Sequence, residues 1–334
     1  MKLVLFFCSL CLVLNPLTSQ ELFKIKDGSK EGFINSSGSL VVDAIYDDVD
    51  DFSEGLAKVK QGSNYGYISL SGKVVIPLTY IRGTEFREGF AAVKDESGWH
   101  YIDKTGKKIF DEACNYAYSF HDGMARLQIG VKFGYIDKSG KVVIQPIYEK
   151  AYEFHEGMAR VELNGKWGFI DKTGKIIIPA KYDWVFDFRE GKADFRVGTE
   201  KDGKYGFIDN TGKVIIDAEF DRAFAFHEGM SLFRDGNFRG GKYGYIDENG
   251  EIAIEARYDG AMNYCEGLAN VSKGVGKEAK WGYIDKEGKE IIPFKFSKPA
   301  EFKNGYAMVR IGDFKTGKEG YINKQGRFVW VKSK

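Results

Sequence analysis

Residues 164–183 read NGKWGFIDKTGKIIIPAKYD, and close variants of this stretch recur along the whole chain. Its core is an aromatic-Gly-aromatic-Ile-Asp pattern. The pattern returns as EGFIN (31–35), YGYIS (65–69), WHYID (99–103), FGYID (133–137), WGFID (167–171), YGFID (205–209), YGYID (243–247), WGYID (281–285) and EGYIN (319–323). Its second position falls at 32, 66, 100, 134, 168, 206, 244, 282 and 320, so four steps of 34 residues are followed by four of 38. Self-similarity at such a period marks an array of supersecondary units, each too small to bury its own apolar face.

Further columns keep fixed offsets from that second position. Six residues on is Gly in every repeat, from Gly38 to Gly326. Fourteen on is an aromatic such as Tyr46, Tyr182 or Phe296, with Cys114 the exception. Twenty on is another, such as Phe52, Phe154 or Tyr264. Asn164-Gly165 supplies two positive-φ residues between alternating runs, which predicts a two-residue β-hairpin. FIDKTGKIII predicts a second hairpin, with Asp171 bonding backbone in the turn and Gly174 in the left-handed region. The Gly inside WGF marks a bulge or a close backbone approach. His100 replaces it in the third repeat. The less alternating runs around Tyr182 and Phe188 read as an irregular connector whose aromatics plug the core between repeats.

No segment sustains a helical period. The expected fold is all-β, about eight full repeats plus a partial one over residues 21–334. Both ends of the array read as the same part of the repeat, which favours an open β-solenoid or superhelix over a closed, propeller-like ring. The four extra residues of the later repeats all enter between the same two strands. Only hairpin tips therefore lengthen, on one edge of the array, and such an edge is often the binding side.

Residues 1–20 stand apart. Lys2 precedes an apolar run from Leu3 to Leu14, followed by Asn15-Pro16 and the small residues Thr18-Ser19. These are the three parts of a secretory signal peptide, and the run is too short to span a bilayer. Its removal leaves 49 − 1 = 48 basic residues against 48 acids. A neutral chain argues against general affinity for nucleic acid or anionic lipid. It also leaves Cys114 and Cys265, whose distance in sequence argues against a disulfide framework but is compatible with a single long-range bridge.

The columns together resemble the WG-repeat family, also called KWG repeats, from about Leu22 to Lys332. The resemblance implies a β-repeat scaffold of the kind widespread in bacterial secreted and envelope-associated proteins. It carries no catalytic residues to transfer.

The residues themselves offer little chemistry. His121, His155 and His227 share one column, where a metal-binding or pH-sensing ladder competes with a solvated turn position; repeat-equivalent histidines need not come within ligand distance. One acidic column runs through Asp103, Asp137, Asp171, Asp209, Asp247 and Asp285, and another through Glu54, Glu88, Asp122, Glu156, Glu190, Glu228 and Glu266. Turn capping explains both more simply than a calcium array or a glycosidase pair, which would be unique rather than repeated. A His100–Cys114 pair in the deviant third repeat would be needed for catalysis, and no motif supports it. The expectation is a non-enzymatic scaffold without cofactor or metal, secreted or in the periplasm or cell envelope, binding a protein or an envelope polysaccharide. A purely structural envelope component is the alternative. The candidate binding edge is the set of extended tips carrying Lys201, Lys204, Arg239, Lys242, Lys277, Lys280, Lys315 and Lys318. Trp184 and Trp330 lie off the recurring columns and are the candidates for stacking on sugar or peptide.

Overall fold

The structure is a computed structural model and describes residues 22–331, apart from 238–239 and 314–315. The expected signal peptide lies outside the described residues. These form an all-β chain whose one helical element is a single 3-10 turn at Gly276–Glu278. No helix among them is long and apolar enough to cross a membrane. The chain divides into two compact parts, Met1–Phe120 and His121–Lys334.

A complete repeat is a four-stranded antiparallel meander with strands in sequence order. In the first part it is seen in Asp48–Val49, Leu56–Gln61, Asn64–Ser69 and Val74–Tyr80. In the second part it is seen in Lys150–Ala151, Met158–Leu163, Lys166–Asp171 and Ile176–Tyr182. Both predicted hairpins are present. Met158–Leu163 pairs with Lys166–Asp171 around Asn164 (φ 53°) and Gly165 (φ 75°). At the second turn Asp171 Oδ1 accepts the amides of Thr173 at 2.9 Å and Lys175 at 3.0 Å.

The third strand differs from expectation. Tyr182 is not in a connector but ends that strand, opposite Trp167, while Ile178 stands opposite Phe169. Residue 168 alone thus faces residues 179–181, and this bulge breaks the alternation that would have announced a strand. Gly168 sits at the bulge, where a Cβ would lie 2.4 Å from the Ile178 carbonyl oxygen. Phe188 does lie in the irregular connector, packed edge-on to Phe169 at 4.7 Å between ring centres.

The core forms between consecutive repeats. One buried cluster joins Trp167, Phe169, Ile178 and Phe188 to Phe195 and Ile208 of the next repeat. Fully burying side chains of this size stabilises by roughly 1.5–3 kcal/mol each. Three contacts then point one step along the chain. The buried Tyr135 hydroxyl donates to the Tyr152 carbonyl oxygen at 2.6 Å, as Tyr67 does to Thr84 at 2.7 Å and Tyr283 to Ala300 at 2.7 Å. An aliphatic residue covers the turn glycine of the following repeat, so a Cβ on Gly174 would come within 3.3 Å of Ile144.

The third contact is a carboxylate ladder. Glu156, Glu190 and Glu228 all have positive φ of 50–55° in tight turns with the Gly that follows. Each carboxylate caps the next such turn. Glu156 accepts the amides of Glu190 and Gly191, both at 2.8 Å. Glu190 accepts those of Glu228 at 2.7 Å and Gly229 at 2.9 Å, and Glu228 those of Glu266 at 2.6 Å and Gly267 at 2.8 Å. In the first part Glu54 does the same for Gly89 at 2.9 Å, with Lys104 at 3.0 Å. The second acidic column therefore caps turns, but across repeats.

Candidate functional site

The lengthened tips leave the core register intact. Val197 pairs with Lys204 at the base of one tip and Asp235 with Lys242 at the base of the next. Between these two tips opens a cleft with a volume of about 1030 Å³. Glu200, Lys201, Asp202 and Gly203 form one wall, Gly236 and Asn237 the other, and Tyr205, Arg222, Phe224, Arg234 and Tyr243 lie beneath.

Arg222 and Arg234 of the floor are held by their neighbours. Arg222 lies over the rings of Tyr205 at 4.7 Å, Phe186 at 5.3 Å and Phe224 at 5.4 Å, and donates to the Tyr205 hydroxyl. Asp221 receives Lys204 at 2.6 Å on one oxygen and the Gly236 amide at 2.6 Å on the other. The Lys204 bond, then the Gly236 amide, hold its carboxyl below the usual range. Arg234 Nε donates to the Gly236 carbonyl at 3.2 Å, tying the second tip to its strand. The cleft thus presents a guanidinium stacked among aromatic faces, with charges of both signs around it.

Behind Arg222 and Phe224 lies a smaller pocket of about 200 Å³ that also includes His155, Asp187 and Asp194. Asp194 is only 3% exposed. Burial pushes its carboxyl up to about 7, against the pull of Arg222 and Arg160. Arg160 meets Asp187 at 2.8 Å and lies over Tyr152 at 3.7 Å and Trp184 at 5.6 Å. Arginine and aromatic side chains therefore alternate across consecutive repeats from Tyr152 to Phe224.

The basic residues of the predicted edge differ in their surroundings. Lys201 is exposed on the cleft wall. Lys204 and Lys242 are tied in ion pairs to Asp221 and Asp259. Lys277 is exposed on the 3-10 turn, and Lys280 and Lys318 are exposed at the starts of strands. Arg239 and Lys315 lie outside the described residues. Trp184 is half-buried, 4.8 Å from Trp167 and 6.2 Å from Phe186 between ring centres. Trp330 is 49% exposed and is not off-column as expected: its pairing with Tyr321 repeats that of Ile76 with Tyr67. It stands ten residues after Gly320, where other repeats carry Val42, Ile144 or Ile254.

The remaining titratable groups are engaged locally. The rings of His121 and His155 lie 5.7 Å apart, so repeat-equivalent residues do come together. No group of three metal-ligating side chains exists among the described residues. Arg189 reaches His227 at 3.1 Å, and burial, then Arg189, lower that imidazole's pKa. His100 is buried against Ser97 at 2.8 Å and Asp95 at 3.1 Å. Cys114 instead donates to the Trp99 carbonyl at 3.4 Å, and burial pushes its thiol up to about 11. Both Cys114 and Cys265 are free thiols.

Sequence reasoning placed the tips but missed the floor. Arg222 and Phe224 occupy columns that change from repeat to repeat, with Lys150 and Tyr152 or Gly260 and Met262 at the equivalent places. That departure from the repeat is the one signal that could have drawn attention to them.

Among solved structures, the chain is similar to the crystal structure of a eukaryotic initiation factor, with a TM-score of 0.59 at 10% identity over 94% of this chain and 96% of that one. It is also aligned with Porphyromonas gingivalis dipeptidyl peptidase 4, with a TM-score of 0.47 at 10% identity over 94% of this chain and 59% of that one. The first likeness shows the all-β fold. No curated protein matches the sequence. The model of the WG containing repeat matches eight times in succession, at 32–65, 65–99, 101–132, 133–167, 167–204, 205–237, 243–277 and 281–313, and the chain belongs to the WG-repeat family.

Proposed function

We propose that this chain is a non-catalytic scaffold working outside the cytoplasm, and that it holds an extended segment of a partner protein between its lengthened tips. The observation that carries the reading is the cleft itself. The inserted residues wall it, and Arg222, stacked on Tyr205 and Phe224, forms its floor. Aromatic faces and arginine are the groups that dominate the energetics of protein recognition. The apolar run from Leu3 to Leu14 supports export. The engagement of Glu156, Glu190 and Glu228 in turn caps supports a structural rather than a catalytic use of the repeated acids.

The test is binding of residues 21–334 to the membrane-protein fraction and, separately, the envelope polysaccharide of its own cells. A captured protein is identified, purified and titrated. The reading requires saturable binding that is lost when residues 199–202 are deleted or Arg222 is replaced by Ala, with the β-sheet circular dichroism signal intact. Binding that survives both changes sinks it. Saturable binding to polysaccharide alone favours the glycan reading, for which the half-exposed Trp330 offers a stacking face. Binding to neither favours the purely structural component.

A further inference from the structure

Arg126, Arg160 and Asp194 hold the same place in consecutive repeats, and Glu153, Asp187 and Ala225 hold another, one connector further on. In the first two steps these places form an ion pair. Arg126 meets Glu153 at 2.9 Å and donates to the Ala151 carbonyl. Arg160 meets Asp187 at 2.8 Å and donates to the Val185 carbonyl at 2.9 Å. The third step breaks the rule. An acid, Asp194, replaces the guanidinium, and the methyl group of Ala225 replaces the carboxylate. The strand pairing is unchanged, since Ala223 faces Phe233 as Val185 faces Phe195. The side chains that fill the earlier interfaces are thus missing from an unaltered frame. In their room stands the pocket of about 200 Å³, with Asp194, Ala223 and Ala225 in its lining.

Five ionisable side chains border this pocket: His155, Asp187, Arg189, Asp194 and Arg222. Three are engaged. Asp187 is held by Arg160 at 2.8 Å, with His155 at 3.8 Å, and Arg189 reaches His227 at 3.1 Å. Asp194 and Arg222 remain, and among the described residues neither has an ion pair. Asp194 is 3% exposed, and no hydrogen bond from another residue reaches its carboxylate. Arg222 bonds only the Tyr205 hydroxyl and lies over Phe186 and Phe224. The two attract through space without touching. Uncompensated charge in such surroundings is costly. A cation alone would be repelled by Arg222, and an anion alone by Asp194. A molecule carrying both charges compensates both residues. The pocket is smaller than the roughly 300–1,000 Å³ that takes drug-sized ligands, so the molecule is small. Phe186, Phe188 and Phe224 make the rest of the wall apolar.

We propose that this pocket binds a free α-amino acid with an apolar side chain, as its zwitterion. The ammonium group lies at Asp194 and the Ala223 carbonyl, the counterpart of the carbonyls that receive Arg126 and Arg160. The carboxylate lies at Arg222, whose planar guanidinium suits two parallel bonds to it. The side chain packs on Phe186 and Phe224. Arg222 borders the tip cleft as well, but the site does not depend on the tips or on a partner segment between them.

The probes are L-leucine, L-valine and L-phenylalanine, titrated calorimetrically into the full chain at pH 8. One saturable site is expected. N-acetyl-leucine lacks the ammonium charge and leucinamide the carboxylate, and each should bind about tenfold or more weakly than leucine, as loss of a charge-assisted bond requires. This comparison needs no variant. Asp194→Asn should weaken leucine to a similar degree but leave N-acetyl-leucine unchanged, and Arg222→Gln should weaken leucine but leave leucinamide unchanged. A variant that merely loosens the fold does not produce this crossed pattern. Deletion of residues 199–202 should leave the leucine affinity unchanged, which separates this site from the tip cleft. Absence of saturable binding by all three amino acids at millimolar concentration overturns the proposal, as does equal binding of leucine and its two derivatives. Leucine binding that is lost with residues 199–202 overturns it too, since the ligand then sits between the tips.

Discussion

Replacing Glu190 by Ala tests whether the carboxylate ladder holds consecutive repeats in register. The side chain accepts two amides of the next repeat, Glu228 at 2.7 Å and Gly229 at 2.9 Å. A hydrogen bond contributes about 0.5–1.5 kcal/mol net, more when one partner is charged. Glu190 is exposed, so water takes over the amides in the variant and the low end applies. Two bonds then amount to roughly 1–2 kcal/mol. Gln keeps one acceptor oxygen and should lose about half of that. Ala at the same positive φ adds no new clash, so the difference between the variants isolates the bonds. Urea unfolding followed by circular dichroism gives the stability loss. Amide hydrogen exchange gives its location: the amides of residues 228 and 229 should exchange about tenfold faster, since 1.4 kcal/mol is a factor of ten. Unchanged exchange at both amides, with stability within about 0.3 kcal/mol of the parent, would refute the ladder as a stabilising element.

Two further outcomes are expected. Asp194 has a folded pKa of about 7, above its ordinary 3.8, so the stability it contributes is full below pH ~4 and is lost as pH rises through 7. Asp194→Asn should flatten this part of the pH–stability curve, a difference of at most about 4 kcal/mol between pH 4 and 8, and an unchanged curve contradicts the burial argument. The Cys114 thiol, buried and raised to about 11, should react with a mild thiol reagent at pH 8 only after unfolding; modification at the rate of a free thiol would show the core around Trp99 to be open.

The period and the turn residues made the repeat legible, because Asn-Gly and Asp-Lys-Thr-Gly have few backbone solutions. Tyr182 was misplaced because the bulge opposite Gly168 removes the period-two signal. The carboxylate ladder was invisible for a different reason. Its bonds span 34 to 39 residues, and a sequence does not say that successive turns stack. The same stacking brings the rings of His121 and His155 to 5.7 Å, a proximity that their shared column did not require. The tips were found from their length, whereas Arg222 and Phe224 were missed because columns draw the eye to what recurs. Trp330 looked irregular until the pairing of Tyr321 placed it in the column that Ile76 and Ile144 fill elsewhere.

The phenol bond, the aliphatic residue over the turn glycine and the carboxylate cap all reach forward, from one repeat into the next. As the chain folds from its N-terminal end, each repeat therefore pairs its own strands before its forward face is covered, and it is finished only when the turn up to 39 residues further on has docked. The growing chain carries one incomplete surface at a time, and that surface moves with the point of elongation. Assembly then has a direction written into the bonds themselves, and a stalled or truncated chain displays the same sticky aromatic face wherever it stops.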